Sequence, residues 1–88
     1  MKVCYRKKFL KQLARLPSGT RAKVEKFVFD ELPNAVSIAA IGSIEKMQGY
    51  RGFYKVRFGS YRVAIKVEGD TLILQVVMDR KDIYKFFP

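Results

Sequence analysis

From residue 53 onward the chain alternates between apolar and polar positions. FYKVRF (53–58) sets Tyr54, Val56 and Phe58 on one side of an extended strand and Lys55 and Arg57 on the other. YRVAIKV (61–67) and TLILQVVMD (71–79) continue the alternation, and the Gly59-Ser60 and Gly69-Asp70 dipeptides between the runs suit two-residue hairpin loops. The first third of the chain has a different period. Phe9, Leu10, Leu13 and Leu16 recur at helical spacing until Pro17, whose ring cannot continue a helix. Ser18 or Thr20 is placed to cap a second helix, with Val24, Phe27, Val28 and Leu32 along one face and Pro33 as its stop.

The remaining segments read more weakly. Residues 2–6 suit a short strand, NAVSIAAIG (34–42) a loop with a short helical turn, SIEKM (43–47) a strand, and residues 48–52 a glycine-bounded loop. Asp79 is placed to cap a short terminal helix. The order is β-α-α-β-β-β-β plus that helix. This predicts an α+β fold with two antiparallel N-terminal helices on an antiparallel sheet, as one domain over residues 1–88.

Counting back from the glycine loops predicts the register. Phe58 faces Tyr61, Arg57 faces Arg62, Val56 faces Val63 and Lys55 faces Ala64; across the second turn, Val67 faces Leu72, Val63 faces Val76 and Arg62 faces Val77. Tyr54, Val56, Val63, Ile65, Leu72, Leu74 and Val76 then share the face that meets the helices. The opposite face carries Lys55, Arg57, Arg62 and Lys66, with Gln75 and Asp79. Arginines directly opposite each other repel. An anion between them relieves that repulsion, and arginine offers phosphate a planar fork that lysine lacks.

Charge strengthens the same point. The 88 residues hold 18 Lys and Arg against 8 Asp and Glu, a formal +10 with no histidine. Such a field favours an anionic partner. Cys4 is the one cysteine, so the chain forms no internal disulfide, and without histidine the common zinc ligand sets are missing. No cofactor is expected. The longest apolar runs, VSIAAI (36–41) and TLILQVV (71–77), are too short to span a membrane, and the N-terminus lacks a secretory signal pattern. A cytoplasmic protein without a membrane partner is expected. Arg80 and Tyr84, four residues apart, share a helical face and extend the basic cluster.

LARLP (13–17), IEKMQGYRGFYKVRFGSYRV (44–63) and DRKDIYKFFP (79–88) resemble the RelE/ParE superfamily of toxins from toxin–antitoxin systems, on the RelE-like branch. The resemblance implies a RelE-like fold and a ribosome-dependent endoribonuclease that cuts mRNA in the ribosomal A site without metal. Its catalytic groups fall here on Lys55, Arg57, Arg62, Arg80 and Tyr84, the set reached independently from strand parity and helical spacing. Arg57 and Arg62 are expected on the scissile phosphate, Lys55 as general base, and Arg80 and Tyr84 on the leaving oxygen and a stacked base. Lys46, Lys66, Lys81, Lys11 and Arg15 are expected to contact RNA phosphates. Lys7, Lys8, Arg21, Lys23 and Lys26 add to the cations on exposed helix sides.

Implied partners are the ribosome with its mRNA and a small, acidic, partly disordered antitoxin, with DNA reached only through that antitoxin. Phe86 and Phe87 are expected either in the antitoxin interface or in the core. Two features depart from the family pattern. Asp79 stands where many relatives have histidine before the arginine, and Arg80 and Tyr84 are closer than in some RelE-type nucleases. The ParE branch, which shares the fold but poisons DNA gyrase, is the alternative reading, and an inactive binding member of the family is a third.

Overall fold

The computed structural model describes residues 1–86. Among them, β1 (Lys2–Tyr5), β2 (Glu45–Lys46), β3 (Phe53–Phe58), β4 (Tyr61–Glu68) and β5 (Thr71–Asp79) form one sheet in the order β1-β5-β4-β3-β2. The two hairpin turns fall on the expected dipeptides. Gly59 and Gly69 adopt φ of 60° and 59°, a region where a side chain would strain the backbone. Between β3 and β4 the register is the one counted from the sequence: Phe58–Tyr61, Arg57–Arg62, Val56–Val63 and Lys55–Ala64.

Two features correct the expectation. β1 pairs with β5 in parallel, with Val3 opposite Leu72, so the sheet is mixed rather than wholly antiparallel. The helices carry the chain from β1 to the far edge of the sheet, and the meander β2-β3-β4-β5 then returns to it. The second correction is a β-bulge. Ala64 pairs with Val76 but Ile65 pairs with Leu74, which leaves Gln75 as an extra residue. Val63 therefore faces Val77 instead of Val76, and Arg62 faces Met78 instead of Val77. The slip turns Val77 toward the helices and Val76 away from them, and it places Asp79 opposite Tyr61.

Helix α1 (Lys7–Ala14) buries Phe9 and Leu13 and leaves its lysines in solvent. Helix α2 (Ser18–Lys26) begins directly after Pro17, and neither Ser18 nor Thr20 caps it. Ser18 is already its first helical residue, so its hydroxyl has no position from which to act as a cap. A π-helical turn, Phe27–Glu31, and a last α-turn, Leu32–Asn34, continue this helix. Pro33 lies inside that last turn rather than stopping the helix before it. After the wider π-turn it occupies the start of a new turn, where its missing N–H costs little.

Phe9, Leu13, Val24, Phe27, Val28 and Leu32 from the helices meet Val56, Val63, Ile65, Leu72, Leu74 and Val77 from the sheet. Full burial of such side chains stabilises by about 1.5–3 kcal/mol each before entropy is counted. At one margin the Tyr5 hydroxyl donates to the Val28 carbonyl; burial, helped by Cys4, raises its pKa above the usual tyrosine value. The 34–42 segment contains the expected helical turn, Ile38–Ala40, in which Ser37 accepts from the Ala40 N–H. No helix among the described residues is long and apolar enough to cross a membrane.

Candidate nucleic-acid interface

Lys55 and Arg57 alternate with the core residue Val56, so strand geometry turns them to the face away from α1 and α2. That face is not a uniformly solvated basic surface. A second cluster of Met47, Ala64, Val76 and Ile83, bordered by Tyr50, Phe53 and Met78, lies there. Helix α3 (Arg80–Ile83) supplies Ile83, and the bulge at Gln75 supplies Val76 by turning it outward. As expected, Asp79 caps α3: its Oδ1 accepts from the Lys81 N–H at 2.9 Å.

Arg62 stands between Arg57 and Met78 in the sheet, and its surroundings differ most from expectation. It is 6% exposed. Its Nη1 donates to the Gly59 carbonyl at 2.6 Å and the Tyr61 carbonyl at 2.9 Å, and its Nε is buried without a partner among the described residues. The guanidinium therefore grips its own hairpin instead of presenting a free fork. The tight turn brings two backbone carbonyls within reach, and charged donors bind such acceptors strongly.

The other members of the set are accessible. Arg57 is exposed, with Nε 3.7 Å from Glu45 Oε2 on β2, a surface ion pair of small energetic weight. The Arg80 N–H donates to the Ser60 carbonyl at 2.8 Å, which ties the start of α3 to the β3–β4 turn, two residues from Arg62. The Arg80 side chain is exposed. Tyr84 is 52% exposed, one turn along; its N–H donates to the Arg80 carbonyl, so the two share a helix face. Lys55 is half-buried on β3, opposite Ala64. Hairpin tip and α3 thus bring Arg57, Arg62 and the start of α3 at Arg80 to one end of the sheet, with Lys55 two residues along the strand and Tyr84 one helical turn beyond Arg80.

The five residues expected on RNA phosphates do not form one patch. Lys46 is exposed on β2 and Lys81 on α3. Lys66 is engaged elsewhere: its Nζ lies 2.9 Å from Glu68 Oε1 and 5.7 Å from the Phe53 ring centre. Lys11 belongs to α1 and Arg15 caps its C-terminus, on the helical side of the sheet, where with Lys8 and Gln12 they line a shallow hollow. Arg15 also borders a cavity of about 610 Å³ shared with Tyr61, Asp82 and Phe86. Phe86 is 57% exposed, with Lys8 Nζ 5.3 Å from its ring centre, so it is not a core residue. The expectation for Phe87 falls outside the described residues.

Three residues beside the site carried no sign of that place in the sequence. Glu45 meets Arg57 only because β2 pairs with β3, Glu45 opposite Lys55. Thr20 and Lys23 of α2 come up to the hairpin tip through the Phe27–Phe58 ring contact, 5.5 Å between centres. Helical spacing marks Lys23 as exposed but carries no signal of what lies beside it.

A helical hairpin on one face of the sheet, with cations at one end of the other and an exposed tyrosine at the end of α3, defines a class of small basic α+β proteins suited to anionic partners. Residues 3–84 match the family described as the ParE toxin of type II toxin–antitoxin systems, parDE, and the chain belongs to that family. Within it the likeness is to RelE. The chain is 39% identical over 89 aligned positions to Toxin RelE3 of Methanocaldococcus jannaschii, and the alignment covers both proteins completely. A solved RelB–RelE antitoxin–toxin complex from Methanococcus jannaschii contains a chain 36% identical, with a TM-score of 0.81, covering 97% of this chain and 99% of that one. The isolated Escherichia coli RelE toxin shares the fold at 20% identity, with a TM-score of 0.67 over 97% of this chain and 92% of its own. The protein is a RelE-like toxin of a type II toxin–antitoxin system.

Proposed function

We propose that this toxin cleaves mRNA on the ribosome by turning the ribose 2′-hydroxyl against the adjacent phosphate. The observation that carries the reading is the convergence at the β3–β4 turn. Arg57 and Arg62 face each other there, and Arg80 is tied to Ser60. In the proposed step, Lys55 takes the 2′-hydroxyl proton as the 2′-oxygen bonds to phosphorus. Arg57, released from Glu45, and Arg80 face the non-bridging oxygens, where negative charge grows. The bond from phosphorus to the 5′-oxygen breaks, and Tyr84 gives that oxygen a proton. The products are a 2′,3′-cyclic phosphate and a 5′-hydroxyl. No metal ion enters this step.

Arg62 acts differently from its exposed neighbours. It fixes the turn that carries the Ser60–Arg80 link, and it leaves a positive charge beneath the phosphate. Exposed cations on α1, with Arg21 and Lys26 on α2, hold ribosomal RNA without reading sequence, so binding weakens steeply with added salt. The +10 charge suits an acidic antitoxin, and relatives solved as RelB–RelE complexes support a partner of that kind, with any DNA contact made through it. Ribosome and mRNA place the activity in the cytoplasm.

The test is incubation of the purified toxin with mRNA-programmed ribosomes and mapping of the new mRNA ends. Wild-type protein gives discrete cuts, and Arg57→Ala lowers the cleavage rate by about 100- to 1000-fold, the scale of losing one electrostatic contact to the transition state. Arg62→Ala lowers the rate and also speeds amide exchange at Ser60 and Tyr61. Intact mRNA together with gyrase-dependent DNA breaks would replace this reading with the ParE-type one.

A further inference from the structure

Beside the hairpin tip lies a hollow of about 320 Å³, lined by Thr20 and Lys23 of α2, Arg57 and Phe58 of β3, the Gly59-Ser60 turn, and Tyr61. Its lining brings two cations together with the hydroxyl-bearing residues Thr20, Ser60 and Tyr61, and includes no carboxylate. The walls are fixed. Val24 and Phe27, one and four residues after Lys23, are buried, and the Phe27 ring meets Phe58 edge-on at 63°. The opposite wall is the turn that Arg62 grips through Gly59 and Tyr61.

We propose that this hollow binds one phosphodiester of the RNA strand, next to the bond that is cut. Arg57 is the shared element: it belongs both to the catalytic face and to the hollow, so a strand crossing the tip places consecutive phosphates on its two sides. Lys23 supplies the second charge, and Thr20 and Ser60 offer hydrogen bonds to the remaining oxygens, as phosphate sites commonly do. This deepens the nuclease reading and rests on it for the identity of the strand.

Two arms test the site separately from that reading. In the first, a single-stranded tetraribonucleotide is titrated into labelled protein and amide shifts are followed, with inorganic phosphate in a parallel series. The RNA shifts the amides of Lys23, Gly59 and Ser60 at concentrations at least tenfold below those needed for phosphate, and Lys23→Glu removes these shifts. Lys2→Glu, an equal charge change at an exposed residue of β1, preserves them. In the second, Lys23→Glu raises KM for ribosome-bound mRNA about tenfold with kcat unchanged, one phosphate contact's worth of binding. Shifts that survive in Lys23→Glu, or that Lys2→Glu weakens equally, would overturn the site whether or not the protein cuts RNA. Equal affinity for phosphate and RNA would overturn the assignment to a nucleic-acid strand. Unchanged KM with normal cutting would leave the nuclease reading standing and remove the hollow from it.

Discussion

Among the described residues, twelve buried side chains on one face of the sheet knit α1 and α2 to the strands; on the other, three gather around Ile83 of α3, with Lys55 and Arg57 on the same face. Both clusters grow from the same alternating strands, yet they have different tasks. The deep cluster holds the fold together. The shallow one fixes a single short helix that carries Arg80 and Tyr84, so the candidate chemistry is mounted where few apolar contacts oppose local opening.

Breaking the deep cluster has the largest expected effect. Leu74→Ala removes a fully buried side chain from the sheet centre and costs about 3–5 kcal/mol of global stability, read as a lower urea midpoint. Ile83→Ala, its counterpart on the other face, costs about 2 kcal/mol or less, confined to α3. Hydrogen exchange then speeds at residues 80–86 while the strands keep their protection. Equal loss of protection in both regions would show that the clusters form one cooperative unit. The smallest effect belongs to the exposed pair. Glu45→Gln frees Arg57 and changes stability by less than about 0.5 kcal/mol, while affinity for single-stranded RNA rises a few-fold in a fluorescence titration. A fall in affinity would mean that Glu45 orders Arg57 for binding instead of competing with RNA for it.

Why the two faces were unequally legible in the chain follows from range. Gly59-Ser60 and Gly69-Asp70 determine their hairpins locally, so the β3–β4 register and most of the deep cluster follow from counting. The bulge at Gln75 does not, because Val76 and Val77 are both apolar and either can point inward. Packing decides between them: Val77 meets the helices and Val76 meets Ile83. The parallel pairing of β1 joins residues about seventy positions apart and leaves no local trace. The π-turn before Pro33 is equally silent.

For the candidate site, parity placed Arg57 opposite Arg62, and helical spacing placed Tyr84 with Arg80. What alternation cannot show is where a long side chain ends. The Arg62 guanidinium folds back onto the carbonyls on either side of its own turn, and the space it leaves is bordered by Lys23 from a helix nearly forty residues earlier. Sequence thus located the strand positions, and tertiary contact sorted them into gripping and accessible groups.

The chemistry of the cut ends tests the central claim most directly. On ribosomes programmed with mRNA, the upstream fragment is predicted to end in a 2′,3′-cyclic phosphate and the downstream one to begin with a 5′-hydroxyl, and a 2′-deoxy nucleotide at the cleavage position abolishes the cut. A 5′-phosphate on the downstream fragment, or cleavage through the deoxy position, would contradict the account.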